Sequence, residues 1–159
     1  MTIKAGARIR ATDRPAAVQA EDQSSVANIT STSFITGTPV VETTFTAPPS
    51  GTVLVFVGGG TRDNSGAGNK VSLDYEIYQG TSAAGTLKKS ANEQLSGYIG
   101  QSGLIGGTAG TGLDFHYFSR GTLVTGLTAG ATHYARLLYK VNAGNTCDIS
   151  DRQLIIIPT

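Results

Sequence analysis

The chain has 159 residues, with 12 Lys+Arg against 11 Asp+Glu and only 14% charged side chains. It is long enough for one buried core, and it lacks the excess of one sign that would draw it to nucleic acid or an anionic membrane surface. The single cysteine, Cys147, excludes an internal disulfide and a thiol-based metal cluster, while 21 glycines point to strands and tight turns.

In chain order, residues 1–25 stand apart. Lys4, Arg8, Arg10 and Arg14 are scattered where a signal peptide needs an unbroken apolar block, so no secretion signal is expected. The reading is an extended N-terminal arm over 1–25 in front of a β domain over 26–159. Its apolar anchors are Ile3, Ile9 and Val18, too few to offset roughly 1–2 kcal/mol of backbone entropy per ordered residue. The arm is therefore expected to gain order on docking, with Arg8, Arg10 and Arg14 pairing with carboxylates of a neighbouring subunit. Asp13 and Pro15 also suit the start of a short helix over 15–22.

From Ser25 onward, short segments of alternating polarity are divided by Gly, Pro and Asn clusters. Strands are expected over 28–35, 40–47, 52–57, 70–78, 94–99, 113–118, 122–127, 132–141 and 146–157. The clearest is 70–78, where Val71, Leu73, Tyr75 and Ile77 should face inward and Asp74 and Glu76 should face water. Residues 53–57 and 154–157 are apolar on both faces and should occupy central strands. The Gly-rich stretches 58–69, 79–93 and 100–112 read as loops. The outcome is an all-β, antiparallel sandwich of about eight to nine strands. No apolar run approaches the roughly 20 residues of a membrane-spanning helix.

The chain offers little chemistry. The glycine-rich stretch from Gly58 lacks the Gly-Lys-Ser/Thr ending of a phosphate loop and leads into a strand. Asp114 and His116 lack a third ligand for a metal, and Ser119, His116 and Asp114 lack the setting of a hydrolase nucleophile. His133 reads as a half-buried imidazole in a strand. Asp74 and Glu76, about 7 Å apart by the pleat repeat, have a spacing that glycosidases use, but a solvated strand face is the commoner reason for such a pair. No catalytic, cofactor-binding or metal-binding residue is expected. Asn28-Ile29-Thr30 matches a glycosylation pattern that has no route to modification without a signal peptide.

Two parts of the chain resemble known proteins. The opening MTIKAGARIRATD, with Ala5, Gly6, Ile9 and Ala11, resembles the start of virion and tail-associated proteins of bacteriophages that infect actinobacteria. The central SFITGTPVVETTFTAPPSGTVLV, with Phe45, Pro48, Gly51 and Val53, is similar to such proteins as well. The ending LVTGLTAGATHYARLLYKVNAGNTCDISDRQLIIIP resembles the last strands of small jelly rolls like the complement globular head and tumour-necrosis-factor folds. These resemblances imply a jelly-roll virion protein of minor-tail or head-decoration type, often trimeric, with no catalytic residues.

The expected function is a non-enzymatic structural subunit of the virion, displayed on tail or head and anchored by the arm. Its expected partners are itself, as a homotrimer, and other virion proteins through residues 1–25. A receptor- or carbohydrate-binding module, touching host-surface glycan through loops and tyrosines, is the first alternative. A cell-wall glycan hydrolase using Asp74 and Glu76 is the second.

Overall fold

A computed structural model describes residues 15–63, 71–92, 97–99, 115–141 and 146–159. Among them the regular structure consists of ten strands: β1 (Val18–Asp22), β2 (Val26–Ile29), β3 (Glu42–Thr46), β4 (Val53–Asp63), β5 (Val71–Gln79), β6 (Thr86–Lys89), β7 (Gly97–Ile99), β8 (His116–Val124), β9 (Thr132–Val141) and β10 (Cys147–Pro158). The first sheet runs β1-β10-β4-β8, with β2 sharing the β1 edge of β10. The second runs β3-β9-β5-β6, with β7 sharing the β6 edge of β5. All pairs are antiparallel, and the chain crosses repeatedly between sheets. With β1 and β2 as one position and β6 and β7 as another, eight strand positions remain, in the order of a jelly roll.

Alternation builds the core. Val71, Leu73, Tyr75 and Ile77 of β5 are buried and meet Val53, Val55 and Val57 of β4 and Leu154 and Ile156 of β10 in one cluster. Each such large side chain contributes roughly 1.5–3 kcal/mol when fully buried. Strands β4 and β10 are central, as their apolar runs require. One residue resets the alternation of β10: its register against β4 shifts between Ser150 and Gln153, and Asp151 has φ 49°. This β-bulge moves the inward set from Cys147 and Ile149 to Arg152, Leu154 and Ile156. Without it, Ile155 and Ile157 would face the core instead.

Several expectations need correction. Residues 18–22 form β1 rather than a helical turn, because Val18 and Ala20 alternate toward the core while β10 supplies hydrogen-bonding partners for the whole segment. The sheet thus begins inside the segment expected to be an arm. The glycines expected to open a loop at 58 instead continue β4 to Asp63, held between β8 and β10. The expected strands 113–118 and 122–127 merge through Ser119–Gly121 into β8 in the described part, and β6 lies in the expected loop 79–93. The expected loop 100–112 lies outside the described residues.

Asp74, finally, is not wet: it is 1% exposed. The end of β6 and the residues after it fold over that face, where Lys89 Nζ donates to both Asp74 carboxylate oxygens at 3.0 and 2.9 Å and the Asn92 N–H donates to Oδ2 at 2.7 Å. Lys89 Nζ also lies 3.8 Å from the centroid of the Tyr75 ring. Glu76 is half-buried and accepts from Arg136 Nη2 at 2.7 Å and from the Tyr78 hydroxyl at 2.7 Å.

Candidate binding groove on the outer face of the first sheet

The register of the first sheet arranges its outward side chains in rows. Ile157, Leu54 and Leu123 form one row, and Gln19, Ile155, Phe56 and Gly121 the next. Glu21, Gln153, Gly58 and Ser119 follow, and Gly60 and Tyr117 lie beyond them. The face is apolar at one end and polar at the other. At the apolar end Leu123 is 60% exposed, and Phe56 lies so close to Gly121 that a Cβ there would stand 2.8 Å from its ring.

At the polar end a groove of about 580 Å³ opens between Glu21, Gly58, Tyr117, Ser119, Asp151 and Gln153. That volume is within the range of small-molecule sites. Two sequence features make it. Gly58 leaves the lining without a side chain, and Gly60 lets the Tyr117 ring lie against β4, since a Cβ there would stand 2.7 Å from that ring and 2.8 Å from Ser150 Oγ. The bulge then turns Asp151 outward, where its Oδ2 accepts a hydrogen bond from the Tyr117 hydroxyl at 2.9 Å. Tyr117 is nevertheless 65% exposed, so most of its ring faces solvent.

Behind the bulge, Arg152 points inward and is 0% exposed. Its guanidinium donates to Asp22 of β1 and, through Nη1, to the Thr36 carbonyl at 3.3 Å. Burial works to raise the Asp22 pKa, but hydrogen bonds from Ser24 and Arg152 outweigh it, and the carboxyl titrates below its ordinary value. The pair ties β1 to β10 underneath the groove.

Of the residues singled out in the sequence, Val18 lies in β1 and packs against the core. Ile3, Arg8, Ile9, Arg10 and Arg14 lie outside the described residues, as does Asp114. His116 and Ser119, three apart on β8, project to opposite faces of the sheet, which does not bring them together as a hydrolase pair. His133 is fully buried, stacked on Phe45 at 5.4 Å between centroids, with Nδ1 3.1 Å from the Ala131 carbonyl. Burial holds its pKa below the ordinary imidazole value. Asp74 and Glu76 share a face, but each is engaged by a cation. Asp151, Asp22 and Arg152 were not singled out, and Tyr117 entered only as one of the six tyrosines of the carbohydrate-binding alternative. Their signal was present: Asp151-Arg152 interrupts an apolar strand, as a bulge does, and glycines in a strand mark a close approach.

No protein-family model matches the chain, and no curated protein matches it. Among solved structures, a chain of infectious bursal disease virus strain Gx is 12% identical over 99% of this chain and 37% of its own, with a TM-score of 0.44. The Gt strain gives 14% identity over 92% and 32%, with a TM-score of 0.43. The chain thus spans about a third of the length of these virus chains. The CBM22-1 xylan-binding domain of Paenibacillus barcinonensis Xyn10C is 8% identical over 89% of this chain and 86% of its own, with a TM-score of 0.35.

Proposed function

We propose that the chain is a non-enzymatic structural subunit of a bacteriophage particle, anchored through its first residues and displaying the jelly roll outward as a homotrimer. The observation that carries this reading is the exposed apolar end of the first sheet, where Leu54, Leu123, Ile155 and Ile157 sit side by side on one outer face. A contiguous apolar patch on an outer face suits burial against a copy of itself, and closed symmetric assembly is the usual result. The resemblance of the opening residues to tail-associated and virion proteins, together with the jelly-roll strand order, supports the particle as its setting.

The test has two parts. Light scattering on the full chain should give a trimer at micromolar concentration, and Leu123→Lys should shift it to monomer while leaving the β spectrum unchanged. Antibody labelling of intact particles should decorate the head or tail at regular positions. A monomeric wild-type chain, together with unlabelled particles, would overturn the reading.

A further inference from the structure

We propose that the groove beside Tyr117 is a binding site for a neutral pyranose unit of a glycan. This goes beyond the structural role and does not depend on it, because the groove lies at the polar end of the sheet, away from the apolar row.

Three features of the site specify the ligand. The first is an aromatic ring that is 65% exposed yet held in place. It rests on the backbone at Gly60, and its hydroxyl is fixed by Asp151 at 2.9 Å. A ring fixed from one side presents its π-face to a ligand without losing rotamer freedom on binding. That face is electron-rich, so it attracts the weakly positive C–H face of a sugar ring.

The second feature is the polar lining. Glu21, Asp151 and Gln153 offer carboxylate and amide oxygens, and Gln153 and Ser119 also offer donors. Acceptors outnumber donors, which matches a ligand that presents several hydroxyl hydrogens. The lining holds three carboxylates, Glu21, Asp22 and Asp151, and its arginine, Arg152, is buried and committed to Asp22, which disfavours phosphate or sulfate. Beside the groove, the buried Ser150 hydroxyl has no hydrogen-bond partner among the described residues, leaving a further polar group under the edge of Tyr117.

The third feature is construction. Gly58 keeps the lining free of a side chain, Gly60 seats the Tyr117 ring, and the bulge places Asp151 at the rim in a left-handed conformation, φ 49°. Bulges frequently re-aim a side chain next to a binding site. Here the bulge turns a carboxylate out and an arginine in at consecutive positions.

The experiment is an amide chemical-shift titration of the full, isotopically labelled chain. The probes are the methyl glycosides of glucose, galactose, mannose and N-acetylglucosamine, run in parallel with inorganic phosphate and with putrescine. At least one glycoside should give saturable shifts confined to residues 58–60, 117–119 and 151–153, and neither phosphate nor putrescine should do so. Tyr117→Ala should weaken that binding at least about tenfold, or ~1.4 kcal/mol, whereas Tyr117→Phe should retain most of it. Since Tyr117 is exposed, the Ala variant should keep the native spectrum away from the groove, which separates lost binding from lost folding. The proposal fails if no glycoside gives a saturable shift, if the shifts lie elsewhere, or if Tyr117→Ala binds as well as the parent. Saturable shifts from putrescine or phosphate alone would reassign the groove to a cation or an anion and equally overturn it.

Discussion

Replacing Asp22 by Asn should destabilise the domain far more than its position near the start of the chain suggests. The carboxylate is the acidic partner of Arg152, a guanidinium with 0% exposure whose other hydrogen bond among the described residues goes to the Thr36 carbonyl. The amide can still accept a hydrogen bond, but it carries no charge, so a buried cation is left uncompensated. Removing one member of a buried ion pair costs about 3–5 kcal/mol, and the retained acceptor places Asp22→Asn near ~3 kcal/mol. For a domain of this size each kcal/mol lowers the Tm by roughly 2–4 °C, hence a fall of about 6–12 °C. Urea unfolding followed by circular dichroism should show a lower midpoint with an unchanged slope. Adding Arg152→Met should recover much of the loss, since the stranded charge is then gone and an apolar chain fills its place. The pair also sets a pH dependence. The Asp22 pKa is lowered in the folded state, so its contribution is complete above the unfolded carboxylate value, about 3.9, and is lost as pH falls through the lower folded value. Asp22→Asn should flatten that acid limb. A loss below about 0.5 kcal/mol, the scale of an ordinary surface change, would refute the idea that β1 and its carboxylate are integral to the sandwich.

Lys89→Met should cost about 3–5 kcal/mol in urea unfolding, because it strands the buried Asp74 carboxylate; Glu76→Gln, in a half-buried pair where the amide still accepts hydrogen bonds, should cost less, about 1–2 kcal/mol. His133 should titrate below the unfolded imidazole value of about 6.5 when followed by proton NMR. Because its folded pKa is lowered, the unfolded chain takes the proton first, and stability should fall as pH drops below that value. Deleting residues 1–14 should abolish incorporation into the particle, measured by copy number in purified particles, while deletion through residue 22 should also destabilise the domain by at least as much as Asp22→Asn.

The sequence by itself determined the fold class and much of the core. The alternation of Val71, Leu73, Tyr75 and Ile77 set which face of β5 is buried, and the apolar runs at 53–57 and 154–157 marked the central strands of the first sheet, although their second face, with Leu54, Phe56, Ile155 and Ile157, is the outer patch and not a second buried layer. Only the tertiary structure decided the other face of β5. Whether Asp74 meets water depends on where Lys89 and Asn92 fold, 15 and 18 residues away, and no local pattern encodes that contact. The same holds for residues 18–22. Their alternation is too short to separate a strand from a helical turn, and pairing with β10, 130 residues or more later, resolves it. The groove was hidden for a related reason: it needs the glycines of β4, Tyr117 of β8 and the bulge of β10 at one level of the sheet. Strand register brings them there, and register is a property of the paired strands rather than of any one of them.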